Sequence, residues 1–167
     1  MNNIITAQPT KPVIDPEALK KGHAFEDYIV TLFNERNFIL LEWRSDKTAS
    51  NGVYPLSCSF PDLEFSNRGR KRRPFAIECK WRASLRDGGI YWAEQYQISN
   101  YLDYQNHYRI PVFVAIGIGG QPSNPEKLFI TPLDHIWMYP HVFESHLIPY
   151  RRIPGHRIDD AEQLELF

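Results

Sequence analysis

Cysteine is scarce in this chain. Cys58 and Cys79 are the only two among 167 residues. One pair in a chain this long makes no disulfide framework and offers no zinc-site spacing. A reducing, cytoplasmic setting is therefore the expectation. Long apolar runs are missing as well. None approaches the roughly 20 residues needed to span a bilayer, so no membrane partner is expected. The first stretch, MNNIITAQPTKPVIDPEALKKG, lacks the charged, apolar and small-residue order of a secretory signal. Excess charge of either sign is absent, since the formal net charge is -1. That argues against indiscriminate nucleic-acid binding and leaves room for a local basic patch.

Several chemistries lack their marks. Ser57 and Ser84 lie in no nucleophile elbow, so serine-based hydrolysis fits poorly. GIGG at residues 117–120 follows an apolar run, but the full Gly-x-Gly-x-x-Gly and a following helix are missing. His107, His135, His141, His146 and His156 share no helix face at metal-ligand spacing. No internal repeat or low-complexity segment is visible.

What remains is the composition of a globular protein. Hydrophobic residues make up 43% and aromatics 14%, enough for one sizeable core. Residues 1–16 read as a flexible, extended N-terminal arm, because Pro9, Pro12 and Pro16 break any long helix. Residues 17–167 read as a single domain. Ala24, Phe25, Tyr28, Ile29, Leu32 and Phe33 recur at three- and four-residue spacing and predict a helix over residues 17–34. FILLEW (residues 38–43) predicts a buried strand, and SDKTASNG (residues 45–52) a polar loop. DLEF (residues 62–65) alternates as a half-buried strand does. Then comes NRGRKRR at residues 67–73, with five cations in one loop, and after it the strand PFAIECKWR. Two strands around a short loop predict a hairpin. Residues 91–108 contain no proline or glycine and predict a second helix. IPVFVAIGIGG (residues 110–120) and KLFITPL (residues 127–133) predict two more strands. The chain beyond Asp134 has no assignable pattern. The order is αβββαβ followed by a further strand: an α/β (α+β) domain with a central mixed sheet flanked by helices.

PFAIECKWR poses a burial problem. Side chains two apart on a strand share a face, so Glu78 and Lys80 point one way while Ile77, Cys79 and Trp81 point the other. Charged groups are seldom buried without a partner or a task. Asp62 and Glu64 share a face of the preceding strand, and the hairpin sets Asp62 beside Glu78. Two carboxylates so close need a cation between them or must take up a proton. A hard divalent ion with oxygen ligands meets the need, and magnesium takes one or two carboxylates plus water and phosphate oxygens. Lys80 would stand beside it, able to position a water or to stabilise charge on a phosphate. Glu64 competes with Asp62 for this place.

FPD (residues 60–62) followed by IECK (residues 77–80) resembles the signature of the PD-(D/E)XK nuclease superfamily, which has the restriction-endonuclease-like fold. The order of elements resembles that core too. The resemblance implies that Asp62, Glu78 and the backbone carbonyl of Cys79 hold Mg2+, with Mn2+ as substitute, and that Lys80 assists the attacking water. It implies that Glu26, in GHAFEDYIV on the first helix, stands near the metal, with Asp27 an equal candidate. QISNY (residues 97–101) resembles the Gln-x-x-x-Tyr motif of some branches. That implies a catalytic role for Gln97, with Gln95 its competitor for the inward position, and a supporting one for Tyr101. Gln97 and Tyr101 are one helical turn apart.

The function so implied is a metal-dependent endonuclease cutting DNA, in restriction, repair, recombination or mobile-element biology. Arg68, Arg70, Lys71, Arg72 and Arg73 would hold the phosphate backbone beside the cleft, with Arg82 and Arg86 just past the active strand. A homodimer would let two sites address two strands. Two alternatives stand beside this reading. One is a nucleic-acid-binding module that kept the fold and lost catalysis. The other is an RNA-processing nuclease, for which Tyr91, Trp92 and Tyr96 offer stacking rings that read equally well as helix core.

Overall fold

Asp15 starts the described chain, and its side chain caps the first helix by accepting from the Glu17 amide at 3.0 Å. The structure, a computed structural model, describes residues 15–44, 59–160 and 162–165. The arm expected over residues 1–16 lies outside them except for its last two residues. The polar loop expected at residues 45–52 lies outside them entirely.

Helix α1 spans Pro16–Leu32, with proline at its start, where a missing N–H costs nothing. Its buried stripe is Phe25, Glu26, Tyr28, Ile29 and Leu32. Strand β1 (Phe38–Trp43) pairs antiparallel with β2 (Leu63–Asn67), and β2 pairs antiparallel with β3 (Pro74–Arg82). The expected hairpin is therefore present. Rings of Phe33, Phe38, Phe65 and Phe75 pack together across these elements, with Phe33 stacked on Phe65 at 4.4 Å between centroids. Each such ring pair adds about 0.5–1.5 kcal/mol beyond its buried area, which holds the hairpin register.

From β3 the chain crosses over through β4 (Gly89–Tyr91) and helix α2 (Gln95–Tyr108) to β5 (Val112–Ile118). β5 lies parallel to β3, and every one of its residues is buried. Strand β6 (Lys127–Pro132) pairs antiparallel with β5, and β8 (Arg151–Arg152) with β6. The main sheet has the order β1-β2-β3-β5-β6-β8. One face carries Ile77, Cys79 and Trp81 against the α1 side, in a cluster with Phe25 and Ile29. The other carries Ala76, Val114 and Ile116 against the α2 side, in a cluster with Ile98 and Tyr101. Mixed sheet and flanking helices match the expected fold class.

Two expectations change. The second helix begins at Gln95, four residues later than expected from residues 91–108. Tyr91 belongs to β4, which pairs with β7 (His141–Phe143) as a separate two-stranded ribbon. Trp92 is fully buried and donates through Nε1 to the Tyr139 carbonyl at 2.7 Å. Long-range pairing thus overrides the local helical pattern. The chain beyond Asp134 folds into short pieces: β7, α3 (Glu144–Leu147), β8 and α4 (Glu162–Glu165). Among the described residues, no helix is long and apolar enough to cross a membrane.

Candidate active site

Strands β2 and β3 part company at Asp62. Their last pair is Leu63 with Ile77, so Asp62 faces Glu78 one step beyond the ladder. Among the described residues β3 continues alone on that edge to Arg82, and a cleft of about 780 Å³ opens there. The early turns of α1 and α2 form its other walls, including His23, Glu26, Gln97, Asn100 and Tyr101.

Asp62 is held from both ends. Its Oδ2 accepts the Cys79 amide at 2.9 Å, and its carbonyl accepts the Arg44 amide at 2.8 Å. Behind it, Glu64 Oε2 accepts from Arg44 Nη2 at 2.8 Å and from the Tyr104 hydroxyl at 2.7 Å. Arg44 also lies over the rings of Phe60 and Tyr104. Glu64 therefore braces the start of β2 and does not line the cleft, whereas Asp62 does. Burial and the Glu64 carboxylate push the Tyr104 hydroxyl well above its usual range.

Glu78 is 1% exposed and its Oε1 lies 2.6 Å from Lys80 Nζ, itself 17% exposed. Two residues apart on one strand, they share the α2 face as alternation requires. The Tyr101 hydroxyl stands close to the Glu78 carboxylate. Burial first, and then the charges of Glu78 and Asp62, push that hydroxyl well up. The Cys79 thiol, on the α1 face, is likewise pushed up by burial and then by Asp62, Glu26 and Glu78, while Lys80 pulls it down. Three carboxylates thus act on one point of β3.

Glu26 is 7% exposed and accepts from Trp43 Nε1 at 2.8 Å. Its neighbour Asp27 is exposed. Gln97 lines the cleft while Gln95 is exposed. The Gln97 Oε1 is engaged in closing the helix start, where it accepts the Glu94 amide at 3.0 Å in a reciprocal capping box. Its carbonyl oxygen therefore serves the helix cap.

The hairpin cations are not brought to the cleft. Arg68, Arg70, Lys71, Arg72 and Arg73 are exposed at the far end of β2 and β3. Six residues of extended strand separate Pro74 from Lys80, which is about 20 Å. Arg68 is tied to the carbonyls of Glu35 at 2.9 Å and Phe38 at 3.2 Å. Among the described residues the Lys and Arg side chains that line the cleft are Lys21, Lys80 and Arg82. Arg82 bonds the Tyr91 carbonyl through Nε at 3.0 Å, and burial pulls its pKa down. Arg86 lines a smaller adjoining cavity with Arg82 and Tyr91. Lys21, His23 and Asn100 are cleft residues that the sequence does not single out. His23 lies three residues before Glu26 on α1, and that spacing is the signal that points to it.

The donor set suits magnesium. Asp62 and Glu78 supply two carboxylates. In an extended strand the N–H and C=O of one residue point to the same edge. The Cys79 amide faces Asp62, so its carbonyl faces the same edge, beyond the last β2 pair. A hard ion completes its shell with water and phosphate oxygens. Among the described residues no group of three or more His, Cys, Asp or Glu side chains comes together for an ion. An ion held wholly by such side chains has no cage there.

No family model matches the chain, and no curated protein matches it. Among solved structures it is similar to Archaeoglobus fulgidus Hjc, a Holliday junction resolvase from an archaeal hyperthermophile. The two share 21% identity at a TM-score of 0.51, over 78% of this chain and 93% of that one. The likeness is one of fold.

Proposed function

We propose that this chain is a magnesium-dependent deoxyribonuclease of PD-(D/E)XK type that cuts phosphodiester bonds within DNA. One observation carries the reading: Asp62, Glu78 and Lys80 meet at the point where β2 leaves β3, at the floor of a cleft. A buried glutamate–lysine pair adds little to stability by itself, because desolvation offsets the attraction. Its place in an open cleft favours a chemical task.

Asp62, Glu78 and the Cys79 carbonyl would hold the ion. Bound there, magnesium would lower the pKa of a water and screen the scissile phosphate. Asp62 is held ready by the Cys79 amide, and Lys80 fixes the Glu78 carboxylate. Lys80, 2.6 Å from Glu78, orients the attacking water or hydroxide and counters charge on the phosphate. Glu26, held by Trp43, faces the same cleft and orders water there. Lys21 and Arg82 line the approach and bind backbone phosphates. The hairpin cations give a second, more distant hold on the phosphates.

The resolvase likeness favours branched DNA as the first substrate to try. The test is cleavage of linear duplex, four-way branched DNA and single-stranded RNA in magnesium and in manganese. Preferential cutting of the DNA substrates supports the reading. Preferential cutting of RNA favours the RNA-processing alternative, and tight binding without cutting in either ion favours the binding module.

A further inference from the structure

The β4–β7 ribbon has an unusual outer face. Ile90 and Val142 form the middle pair and point into the core, at 2% and 1% exposure. Alternation therefore turns Tyr91, His141 and Phe143 outward. An outward sheet face is normally polar. Here Tyr91 is 63% exposed and Phe143 50%. The rings form a continuous run: Tyr91 to His141 at 4.9 Å, His141 to Phe143 at 5.2 Å, Phe143 to His146 at 6.1 Å, and His146 to Tyr139 at 6.3 Å. The run is built in place. His141 Nε2 pairs with the Arg86 carbonyl at 3.1 Å, and a Cβ on Gly89 would meet the Val142 carbonyl oxygen at 2.3 Å. Only glycine lets the two strands approach there.

The run is continuous with the cleft. Arg82 and Ala83 line both the cleft and a smaller cavity of about 300 Å³. Arg86 and Tyr91 line that smaller cavity. Cations therefore stand between the carboxylate floor and the first exposed ring. Acidic groups near in sequence are Asp87 in the exposed turn, Glu94 at the start of α2, and Glu144, which is paired with Lys127 at 2.6 Å.

We propose that this face binds an unpaired nucleic-acid strand leaving the cleft, with bases stacking on Tyr91, Phe143 and Tyr139 while Arg86 and Arg82 hold the phosphates on the cleft side of Tyr91. A cationic groove that leads onto exposed stacking rings is how single strands are held without sequence preference. A duplex keeps its bases stacked on each other and offers these rings nothing. The inference rests on the nuclease reading for the identity of the ligand, and names its form: DNA with a single-stranded segment beside the scissile bond.

The test measures equilibrium binding of labelled oligothymidylate and of a blunt duplex by the whole chain in a chelator, so that no cutting intervenes. Tyr91→Ser/Phe143→Ser is compared with wild type and with Tyr91→Phe. Both positions are exposed, so the fold is retained, which circular dichroism checks. Single-strand affinity should fall about 5- to 150-fold for each base unstacked, since stacking is worth about 1–3 kcal/mol per base. Duplex affinity should hold, and Tyr91→Phe should bind as wild type. Equal single-strand binding by all three proteins overturns the inference. So does unchanged binding with a loss of self-association in sedimentation, which would make the face a contact between copies. Cleavage by the same variants separates the two readings. If wild type cuts duplex DNA yet single-strand binding ignores the substitutions, this inference fails and the nuclease reading stands. If binding responds but nothing is cut in any metal, the nuclease reading fails alone.

Discussion

The Asp62 carboxylate accepts the Cys79 amide at 2.9 Å, one step past the last β2–β3 pair. A side chain thus continues the ladder that the backbone leaves off. The bond pins an acidic group against the strand that carries Glu78 and Lys80, at the edge of the cleft.

Asp62→Asn keeps an acceptor for the Cys79 amide and removes the charge. Its urea midpoint should stay near wild type while metal binding is lost. Asp62→Ala leaves the amide unsatisfied and should cost about 1–3 kcal/mol. Urea titration with manganese binding on both variants separates the two roles. Equal stability of the Asn and Ala forms would mean that the bond does not stabilise the fold.

Lys80→Met leaves a buried glutamate without its cation. Breaking a buried pair from one side costs about 3–5 kcal/mol. The double variant Glu78→Gln/Lys80→Met should be less destabilised than the sum of the single ones. Additive losses in a double-mutant cycle would show that the pair is not coupled.

Tyr104 makes stability fall in alkali. Its folded-state pKa is raised from 10.0, first by burial and then by Glu64. The folded state therefore keeps its proton while the unfolded chain loses one as pH passes 10. The contribution is fully present below that pH and is lost as pH climbs toward the raised value. Tyr28 is raised in the same direction by burial. Stability against urea should decline above pH 10, and Tyr104→Phe should flatten the decline. An unchanged slope in Tyr104→Phe would contradict this.

These residues divide into what the sequence makes legible and what it does not. The pairing of Asp62 with Glu78 and Lys80 is readable because it needs only alternation and one short hairpin. Both are local rules, and the phenylalanines around the hairpin hold its register. The start of α2 is not readable. Tyr91 and Trp92 continue a helical pattern, but their partners, His141 and Tyr139, lie far along the chain. The pieces after Asp134 are two to four residues long, too short for any period to show. The basic hairpin shows a different limit. Composition reveals its charge, whereas the length of β3 sets its distance from the cleft. Gln97 shows a third: motif spacing gives its position on the helix, and the capping box decides what its oxygen bonds.

The hairpin cations should matter for affinity and not for chemistry. Replacing Arg70, Lys71 and Arg72 by alanine should flatten the dependence of log affinity on log salt by about 0.9 for each phosphate left unneutralised. Cleavage at saturating DNA should be unchanged. A fall in saturated rate with an unchanged salt slope would place these residues at the chemistry after all.

Asp62, Glu78 and Lys80 are proposed to form a metal-dependent cutting site. The most direct measurement follows cleavage of supercoiled plasmid and four-way branched DNA by wild type, Asp62→Asn and Lys80→Ala, in magnesium and in a chelator. Wild type should cut only with magnesium, Asp62→Asn should not cut, and Lys80→Ala should be slower by roughly 10²–10³-fold, the loss seen when one preorganised charge-stabilising group is removed. Equal cutting by all three proteins, or cutting that survives the chelator, would contradict it.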